Sequence, residues 1–420
     1  MNIVGVEGRV RDPIALVALV GFLAMTVAAW QQTPGVNPEA AGLSTVRLRQ
    51  ATDLLNRYVA KQRIAGAVAA VARRGHVGYF EAVGVQDVQA RAPMTARSLF
   101  RIYSMTRPVT AVAVMMLHEE SRFNLDDPVA KFIPEFKSVV VSSEQGAPPR
   151  AAAQQITVRD LLLHTSGLNA RTSEIYRREQ VRSRTMTMAQ FIANLVRVPL
   201  MEDPGTRYRY SEGTTVLGRL VEIWSGKPFE VFLEERVFRP LRMTDTMFWA
   251  ATPDQRARLT TAYGPAQGGG LTPVETETLP FTERPTLIEG AVGLLSTVPD
   301  YVRFGQMLLN KGELDGVRLL STKTVETMTG NGLSEAVQKT RGGSGGSMGW
   351  GLANVQVLLN PTPNDPASKG EYGWDGTAGT IFWVDPSKEM LTVLMTQSQP
   401  SDPDQIRQRF KAIVHQAIVD

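Results

Sequence analysis

The stretch that decides the fold spans residues 99–120 and reads Leu99-Phe-Arg-Ile-Tyr-Ser104-Met-Thr-Arg107-Pro-Val-Thr-Ala-Val-Ala-Val-Met-Met-Leu-His-Glu-Glu120. A β-type run ends at Ser104, and a helix begins around Thr106 to Pro108, because proline is favoured in a first helical turn. Ser104 is therefore predicted near a helix N-terminus, where free N–H groups favour developing negative charge, with Arg107 on the same face. This arrangement suits a nucleophilic serine beside a basic partner. The alternative is an N-cap serine with a surface arginine.

The segments around this stretch predict strands at both ends of the chain. Apolar residues at helical spacing in residues 45–64 predict a first helix. Residues 67–72 and 77–83 flank a glycine-containing turn and predict a β-hairpin. Near the end of the chain, strands are predicted at 350–358, 380–384 and 391–396, before a closing helix at 404–418.

The middle of the chain is mostly helical in its pattern. Periodic apolar residues predict helices at 109–120, 158–164, 188–196, 214–224 and 229–238,. Because strands lie at both ends and helices between them, we predict an α/β (α+β) sandwich. Its antiparallel sheet would be built from both chain ends and flanked by helices, with a mostly helical lobe, roughly residues 105–285, inserted.

Composition limits the kinds of site that the chain can carry. The 420 residues allow one large domain or two smaller ones, and a net charge of +4 is too weak to indicate a nucleic-acid partner,. The absence of cysteine excludes disulfides, thiolate metal sites and a cysteine nucleophile,. Four scattered histidines without an H-E-x-x-H motif argue against zinc,. We therefore expect neither a metal nor an organic cofactor.

The N-terminus indicates export. Two arginines precede an uncharged apolar run at residues 14–29, which ends in small residues and is typical of a secretory signal peptide over 1–29,. We expect a linker at 30–42, a single hydrolase-like domain at 43–420, and a periplasmic or secreted location. The alternative is an uncleaved signal anchor that attaches the protein to a membrane, with the domain outside the cytoplasm.

The segment around Ser104 resembles the S-x-x-K helix of the serine β-lactamase and penicillin-binding-protein superfamily, in particular its class C β-lactamase and family VIII carboxylesterase branch. The similarity covers roughly Leu43 to Asp420 and implies a β-lactamase/transpeptidase-like fold. Further similar segments follow in the family's order: the His-Thr-Ser-Gly-Leu loop at 161–168, the tyrosine motif at 208–218, the start of a late helix at 290–301 and a third motif at 373–377.

The resemblance implies a role for each matching residue. Ser104 would be the acylated nucleophile, and Tyr210 the proton acceptor beside it. The backbone N–H groups of Ser104 and Thr377 would form an oxyanion hole for the tetrahedral intermediate. Trp374 and Gly376, in the third motif, would shape the substrate pocket.

Some of these residues also have a purely structural interpretation. Tyr208 and Tyr210 alternate like strand residues, so Tyr210 alone would be read as a core aromatic. Trp374 alone would be read as a packed sheet residue. His164 is interpreted as a structural loop residue rather than a base.

Arg107 departs from the family pattern, which has lysine at this position. Arginine has a pKa above about 12 and stays protonated at lower pH, so neutralising it at pH 7.5 would cost at least about 7 kcal/mol. Ionising a tyrosine of ordinary pKa costs about 3.4 kcal/mol, and a nearby cation is expected to lower that cost. In a working site Tyr210 is therefore the base and Arg107 an electrostatic helper. In a site that needs a neutral amine, the protein would be a weak hydrolase or a noncatalytic binder of acyl ligands.

Two further departures bear on the substrate. Glu212 stands where penicillin-recognising members usually carry asparagine. Trp374 stands where β-lactamases and peptidases carry a lysine or histidine, a cation that attracts a substrate carboxylate. We therefore predict an exported serine hydrolase that cleaves small-molecule carboxylic esters through an acyl-enzyme. The alternatives are a β-lactamase or DD-peptidase and a noncatalytic acyl-ligand-binding homologue. The oligomeric state does not follow from the sequence.

Two overlapping matches to G-x-S-x-G occur at residues 342–346 and 345–349, centred on Ser344 and Ser347. As a nucleophile elbow this motif needs a strand before it and a helix after it. Here a strand-like run follows instead. We interpret the segment as a flexible loop.

Overall fold

The structure is a computed structural model that describes residues 35–143, 147–341, 346–362 and 365–419. The predicted signal peptide or anchor, the start of the predicted linker and the motif serine Ser344 lie outside these ranges. No helix within the described ranges is long and apolar enough to cross a membrane.

The first part of the described chain forms one helix followed by a hairpin. Ser44 caps the helix by accepting a hydrogen bond from the backbone N–H of Arg47,. The predicted hairpin is confirmed, and the predicted first helix ends at Ala60 rather than Ile64. The elements are α1 (Thr45–Ala60), β1 (Gly66–Arg73), β2 (His76–Asp87), β3 (Ala92–Pro93) and β4 (Phe100–Arg101).

The middle of the chain is mostly helical, as predicted. Its elements are α2 (Thr106–Glu119), β5 (Val140–Val141), β6 (Arg150–Ala151), α3 (Val158–Leu163), α4 (Glu174–Arg178), α5 (Met188–Arg197), α6 (Gly213–Ser225), α7 (Phe229–Leu233), α8 (Pro253–Arg258), β7 (Tyr263–Pro265) and β8 (Leu271–Pro273). Helix α2 is buried along nearly its whole length and packs against α6. The helix that starts just after Ser104 is thus the centre of this lobe.

The last part of the chain returns to strands. Its elements are β9 (Leu295–Ser296), α9 (Val298–Leu309), β10 (Glu313–Leu314), β11 (Val317–Arg318), α10 (Thr322–Thr329), α11 (Glu335–Thr340), β12 (Met348–Gly351), β13 (Val355–Leu358), β14 (Tyr372–Asp375), β15 (Ile381–Asp385), β16 (Met390–Thr396) and α12 (Ile406–Gln416). The predicted closing helix is therefore present but shorter at both ends.

The main sheet joins the two ends of the chain. It has eight strands in the order β12-β13-β14-β15-β16-β1-β2-β3, and each neighbouring pair is antiparallel. Strand β16 pairs with β1 in the middle, with Ala67 opposite Thr396 and Arg73 opposite Met390. The predicted α/β sandwich with a sheet from both chain ends is confirmed.

Strand β1 shows why the sheet is covered on both faces. All eight of its residues are buried. Val68 and Ala70 face the large core shared with the helical lobe and α9, whereas Ala67 and Ala69 face a second core made with α1 and α12. Alternation of side chains along a strand explains this division. Because both faces are buried, β1 reads as a continuous apolar run rather than an alternating one.

Two local predictions are corrected. Residues 350–358, predicted as one strand, form the hairpin β12–β13, whose turn places Asn354 in the left-handed region with φ 56°. Residues 229–238, predicted as one helix, form α7 followed by a π-helical turn at Glu234–Phe238. Within the predicted linker, the backbone N–H of Asn37 donates to the carbonyl oxygen of Val77 at 2.9 Å and Ala41 is buried.

Candidate active site

Ser104 lies on a short 3-10 turn, Tyr103–Met105, that leads directly into α2. It is 8% exposed and lines a cavity of about 310 Å³. The preceding residue, Tyr103, has a φ of 42°, which costs an aromatic residue on the order of 1–3 kcal/mol. Its ring packs edge-on against Phe281 at 5.9 Å between centroids. Packing therefore holds the serine in a strained turn at the cavity wall.

The cavity brings together most of the predicted site residues. Ser104, Arg107, Tyr210 and Thr377 all line it. The remaining wall comes from five segments of the chain, and apart from Glu212 none of its residues was singled out in the sequence: Tyr103, Ala170, Arg171, Thr172, Ser211, Glu212, Val274, Glu275, Thr276 and Gln399. The catalytic roles of Ser104, Arg107, Tyr210 and Thr377 stay predictions, although all four residues line one cavity.

Tyr210 lies at the centre of the site. Its hydroxyl accepts a hydrogen bond from the indole N–H of Trp374 at 3.1 Å, and the side chain of Ser104 lies close enough to lower the pKa of Tyr210. The residue lies outside any strand, in the segment that leads into α6. The strand-like alternation with Tyr208 was therefore misleading, and Tyr210 is a partly buried aromatic whose hydroxyl lies near the candidate nucleophile.

The environment of Tyr210 changes the expected cost of ionising it. The positive charge of Arg107, the hydrogen bond from Trp374 and the nearby side chain of Ser104 each lower the pKa of Tyr210, while the charge of Asp375 raises it. Burial outweighs these contributions and raises the pKa above its usual value,. The expected direction of the Arg107 effect therefore holds, but the assumption of an ordinary tyrosine pKa does not, because burial raises it. Arg107 offsets part of the burial penalty but not all of it.

Arg107 is buried in the lobe and is 1% exposed. Its guanidinium carbon stands 4.3 Å from the ring centroid of Tyr210. Its Nη1 donates to the carbonyl oxygen of Ser211 at 2.8 Å and to the hydroxyl of Thr214 at 2.7 Å. No hydrogen bond joins Arg107 to Ser104 in the part of the chain that the structure describes. The alternative of an N-cap serine with a surface arginine is wrong, because the N-cap of α2 is Met105.

The third motif reaches the cavity because of a glycine. A Cβ atom at Gly376 would overlap the carbonyl oxygen of Ile102 and the hydroxyl of Thr380. Only glycine lets the end of β14 approach the turn that carries Ser104 this closely. The next residue, Thr377, thereby lines the cavity.

A buried arginine from the closing helix fixes this strand end. Arg407 pairs with Asp375 at 2.6 Å and donates to the carbonyl oxygen of Gly376 at 3.1 Å. Sequence reasoning missed Arg407, since nothing in the local pattern of α12 relates it to a motif about thirty residues earlier,. The position of Thr377 therefore depends on the last helix of the chain.

His164 supports the tyrosine segment from below. It is fully buried, and its Nδ1 accepts the backbone N–H of Ser211 at 3.3 Å. Its ring packs against those of Tyr208, Tyr210 and Trp350. Burial, reinforced by the charge of Arg107, lowers the pKa of His164 well below its usual value, so the ring is neutral,. These contacts agree with the structural interpretation of this histidine.

Glu212 adds a buried carboxylate to the cavity wall. It precedes α6 as its N-cap residue, where the helix dipole favours negative charge,. One oxygen accepts from the hydroxyl of Thr215 at 3.3 Å, while the other has no hydrogen-bond partner among the described residues. Within those residues, Glu212 forms no ion pair with Arg107. The site therefore contains a cation and an anion that do not neutralise each other directly.

Partly buried ion pairs hold the loop that forms another part of the cavity wall. Glu277 pairs with Arg171 at 2.9 Å and with Arg182 at 2.8 Å, and Arg182 also pairs with Glu289 at 2.6 Å. Glu277 directly follows the wall residues Glu275 and Thr276. Removing one partner would leave a partly buried charge without compensation, which is destabilising. The wall is thus fixed to the lobe by charge.

One cluster outside the cavity has the residue types of a metal site. Ligand atoms of Glu371, Asp385 and His415 lie within 4.8 Å of one another. The ammonium group of Lys388 lies 2.9 Å from Nδ1 of His415 and 3.8 Å from Asp385. A second lysine, Lys411, pairs with Glu371 at 2.5 Å. The chain's own ammonium groups therefore supply the positive charge here.

Several known proteins are similar to this chain. The sequence model of the Beta-lactamase family matches residues 51–416. "Protein Rv1367c" of Mycobacterium tuberculosis (strain ATCC 25618 / H37Rv) is 33% identical over 80% of this chain and 86% of its own length. "Esterase EstB" of Burkholderia gladioli is 27% identical over 86% of this chain and 94% of its own length.

A solved structure shows the same fold. The structure titled "EstCE1, a hydrolase with promiscuous acyltransferase activity" superposes with a TM-score of 0.75 at 24% identity. The match covers 89% of this chain and 98% of that one. The family match spans the lobe, the sheet and every motif that lines the cavity. The chain belongs to the Beta-lactamase family.

Proposed function

We propose that the protein is a serine hydrolase that cleaves carboxylic esters through an acyl-enzyme on Ser104. The observation that carries this proposal is the group of Ser104, Tyr210 and Trp374: Ser104 and Tyr210 line the cavity together, and Trp374 donates to the Tyr210 hydroxyl. The hydroxyl of Tyr210 is within reach of the serine proton and is itself held by the indole N–H. Covalent acyl transfer requires a nucleophile, a proton acceptor beside it and a third group that orients the acceptor.

The proposed reaction assigns one step to each group. Tyr210, once ionised, takes the hydroxyl proton of Ser104 while the Ser104 oxygen attacks the ester carbonyl carbon. The backbone N–H groups of Ser104 and Thr377 hold the resulting oxyanion. Tyr210 then returns the proton to the departing alcohol, which leaves an acyl ester on Ser104. Water, deprotonated by Tyr210, releases the acid and restores the serine.

Arg107 acts as a fixed charge in this proposal rather than as a base. Its guanidinium stacks on the Tyr210 ring and favours the anionic form of the tyrosine,. It does so without giving up a proton, since arginine stays charged at all working pH values. Because burial raises the pKa of Tyr210, turnover is expected to increase as pH rises into the alkaline range.

The walls of the cavity favour neutral esters over anionic substrates. Trp374 offers a neutral N–H donor, and that donor is already used by Tyr210. The carboxylates of Glu212 and Glu275 on the wall repel a substrate carboxylate,. The cation Arg171 is already paired with Glu277 at 2.9 Å. The relative EstB is named an esterase and the neighbour EstCE1 a hydrolase, which supports the same class. Export through the N-terminal apolar segment is part of the proposal.

The test compares substrate classes. We expect short-chain p-nitrophenyl esters to be turned over at least roughly ten times faster than a chromogenic cephalosporin, measured as kcat/KM, because one lost charge-assisted contact is worth about 1.5–3 kcal/mol. Intact-mass detection of acylated Ser104, with Ser104→Ala as control, identifies the nucleophile. Comparable cephalosporin turnover would favour the β-lactamase or peptidase alternative. No labelling by a fluorophosphonate probe would favour a noncatalytic binder.

A further inference from the structure

The side chain of Thr214 connects the candidate site to the sheet through hydrogen bonds. Its hydroxyl accepts from Nη1 of Arg107 at 2.7 Å and donates to the side-chain oxygen of Asn354 at 3.1 Å. A hydroxyl has one proton to donate and can accept in addition. Both bonds can therefore exist at once, and they form a chain from Arg107 through α6 to the turn of the β12–β13 hairpin.

Every residue in this series of hydrogen bonds is buried. Arg107, Thr214 and Asn354 are at most 1% exposed. Asn354 has the left-handed φ of 56° that the tight turn requires, which directs its side chain inward from a fixed backbone,. Since buried polar groups without partners are costly, each bond in this chain limits where the next group can lie.

This series of hydrogen bonds is important because it fixes the position of the Arg107 guanidinium. Nη1 of Arg107 has two acceptors, the carbonyl oxygen of Ser211 and the hydroxyl of Thr214, both at the start of α6. These bonds hold the guanidinium carbon 4.3 Å from the ring centroid of Tyr210. An arginine side chain has several rotatable bonds, so without its acceptors the charge would be distributed over more positions.

We propose that Thr214 is a positioning residue, which holds the Arg107 guanidinium against the ring of Tyr210 and so sets the pH at which the site works. Only the expected effect of Thr214 on turnover rests on the proposed function; its positioning of Arg107 does not. The charged or titratable groups that face Tyr210 are Arg107 from α2, Asp375 from β14, the neutral His164 after α3 and Tyr208 from its own segment. Among these, Arg107 is the group that Thr214 contacts.

The experiment compares matched variants. Thr214→Val keeps the shape but removes both hydrogen bonds, whereas Thr214→Ser keeps the hydroxyl. Thr110→Val is the control, because Thr110 is an equally buried threonine on α2 whose hydroxyl bonds the carbonyl oxygen of Gly290 instead. The tyrosine limb is the part of the kcat/KM profile that rises with pH as Tyr210 ionises. We expect Thr214→Val to move this limb to higher pH and to lower kcat/KM below it about threefold to tenfold. Thr214→Ser should restore most of the loss, and Thr110→Val should leave the limb in place.

A double mutant separates positioning from a general structural effect. In the Arg107→Ala background, Thr214→Val should no longer move the limb, since the charge that it positions is gone. An undiminished effect in that background, an unmoved limb in the single variant, or the same movement in Thr110→Val would overturn the proposal.

A second readout does not depend on turnover. In protein labelled with [ζ-13C]tyrosine, the Tyr210 resonance is assigned by its loss in Tyr210→Phe. We expect Thr214→Val to move this resonance in the same direction as Arg107→Ala, and Thr214→Ser to leave it near the wild-type position. Wild-type protein that hydrolyses no ester but shows this pattern refutes the proposed function and keeps the role of Thr214. Active protein without the pattern refutes the role of Thr214 alone.

Discussion

Replacement of Arg107 by alanine is the perturbation that tests the chemistry of the site most directly. The guanidinium carbon stands 4.3 Å from the Tyr210 ring centroid. With the phenolate oxygen about 5 Å from that cation and an effective dielectric constant of about 20, the attraction is about 3 kcal/mol, or about two pKa units. Water that enters the vacated space would recover part of this, so a shift of about one to two units is expected.

The assay is kcat/KM for a p-nitrophenyl ester across pH, in wild type, Arg107→Ala and Arg107→Lys. Below the tyrosine limb the rate follows the fraction of tyrosinate, so Arg107→Ala should lower kcat/KM near neutral pH about tenfold to a hundredfold. Tyr210→Phe should abolish turnover at every pH. Arg107→Lys should be neutral or harmful, because a lysine does not reproduce the planar fork that reaches the Ser211 carbonyl and Thr214,.

The opposite result would refute this reasoning. If the site has merely lost a neutral amine base, wild type should acylate very slowly and Arg107→Lys should raise kcat/KM at least roughly tenfold, since a positioned general base contributes about 10²–10⁴. An Arg107→Ala profile that coincides with wild type would show that the cation does not act on Tyr210 at all.

The remaining predictions concern the nucleophile and a buried carboxyl group. Ser104→Ala should remove hydrolysis and fluorophosphonate labelling with nearly unchanged Tm, whereas Ser344→Ala and Ser347→Ala should keep both; activity in the Ser104 variant would move the site elsewhere. Burial raises the pKa of Asp300 to about 7, so wild-type stability should fall as pH rises from about 4 to about 7, while the unfolded chain loses this proton and the folded one keeps it. The Tm advantage of Asp300→Asn over wild type should therefore grow across that window in thermal denaturation; a difference independent of pH would contradict the raised pKa.

The fold was accessible from the sequence because its main signals are local. Pro108 in a first helical turn indicates where α2 begins, and the run at 67–72 predicts a strand. The hairpin at 350–358 was missed for a local reason as well. Its turn passes through Leu352, Ala353 and Asn354, and without a glycine or proline this segment reads as part of one apolar strand,.

The candidate site was only partly accessible from the sequence. Ser104, Tyr210 and Thr377 were found through motif order, and the structure places them around one cavity. The contacts that orient these residues join distant parts of the chain, as between Asp375 and Arg407 or between Thr214 and Asn354. No local pattern encodes such pairs. The net direction of the Tyr210 pKa was also inaccessible, because it depends on burial that only the packed structure defines,.

Arg107 and Trp374, the two main departures from the family pattern, both contact the side chain of Tyr210. Arg107 contacts the face of the Tyr210 ring, and Trp374 donates to its hydroxyl. Arginine supplies a charge that cannot be lost, and the indole supplies a hydrogen bond that favours the anion without adding charge. Both substitutions remove a proton-carrying amine or imidazole from the site, and both stabilise the same tyrosinate. If they act together, replacing either one alone by the family's usual cation should disturb Tyr210 rather than restore a family-like site.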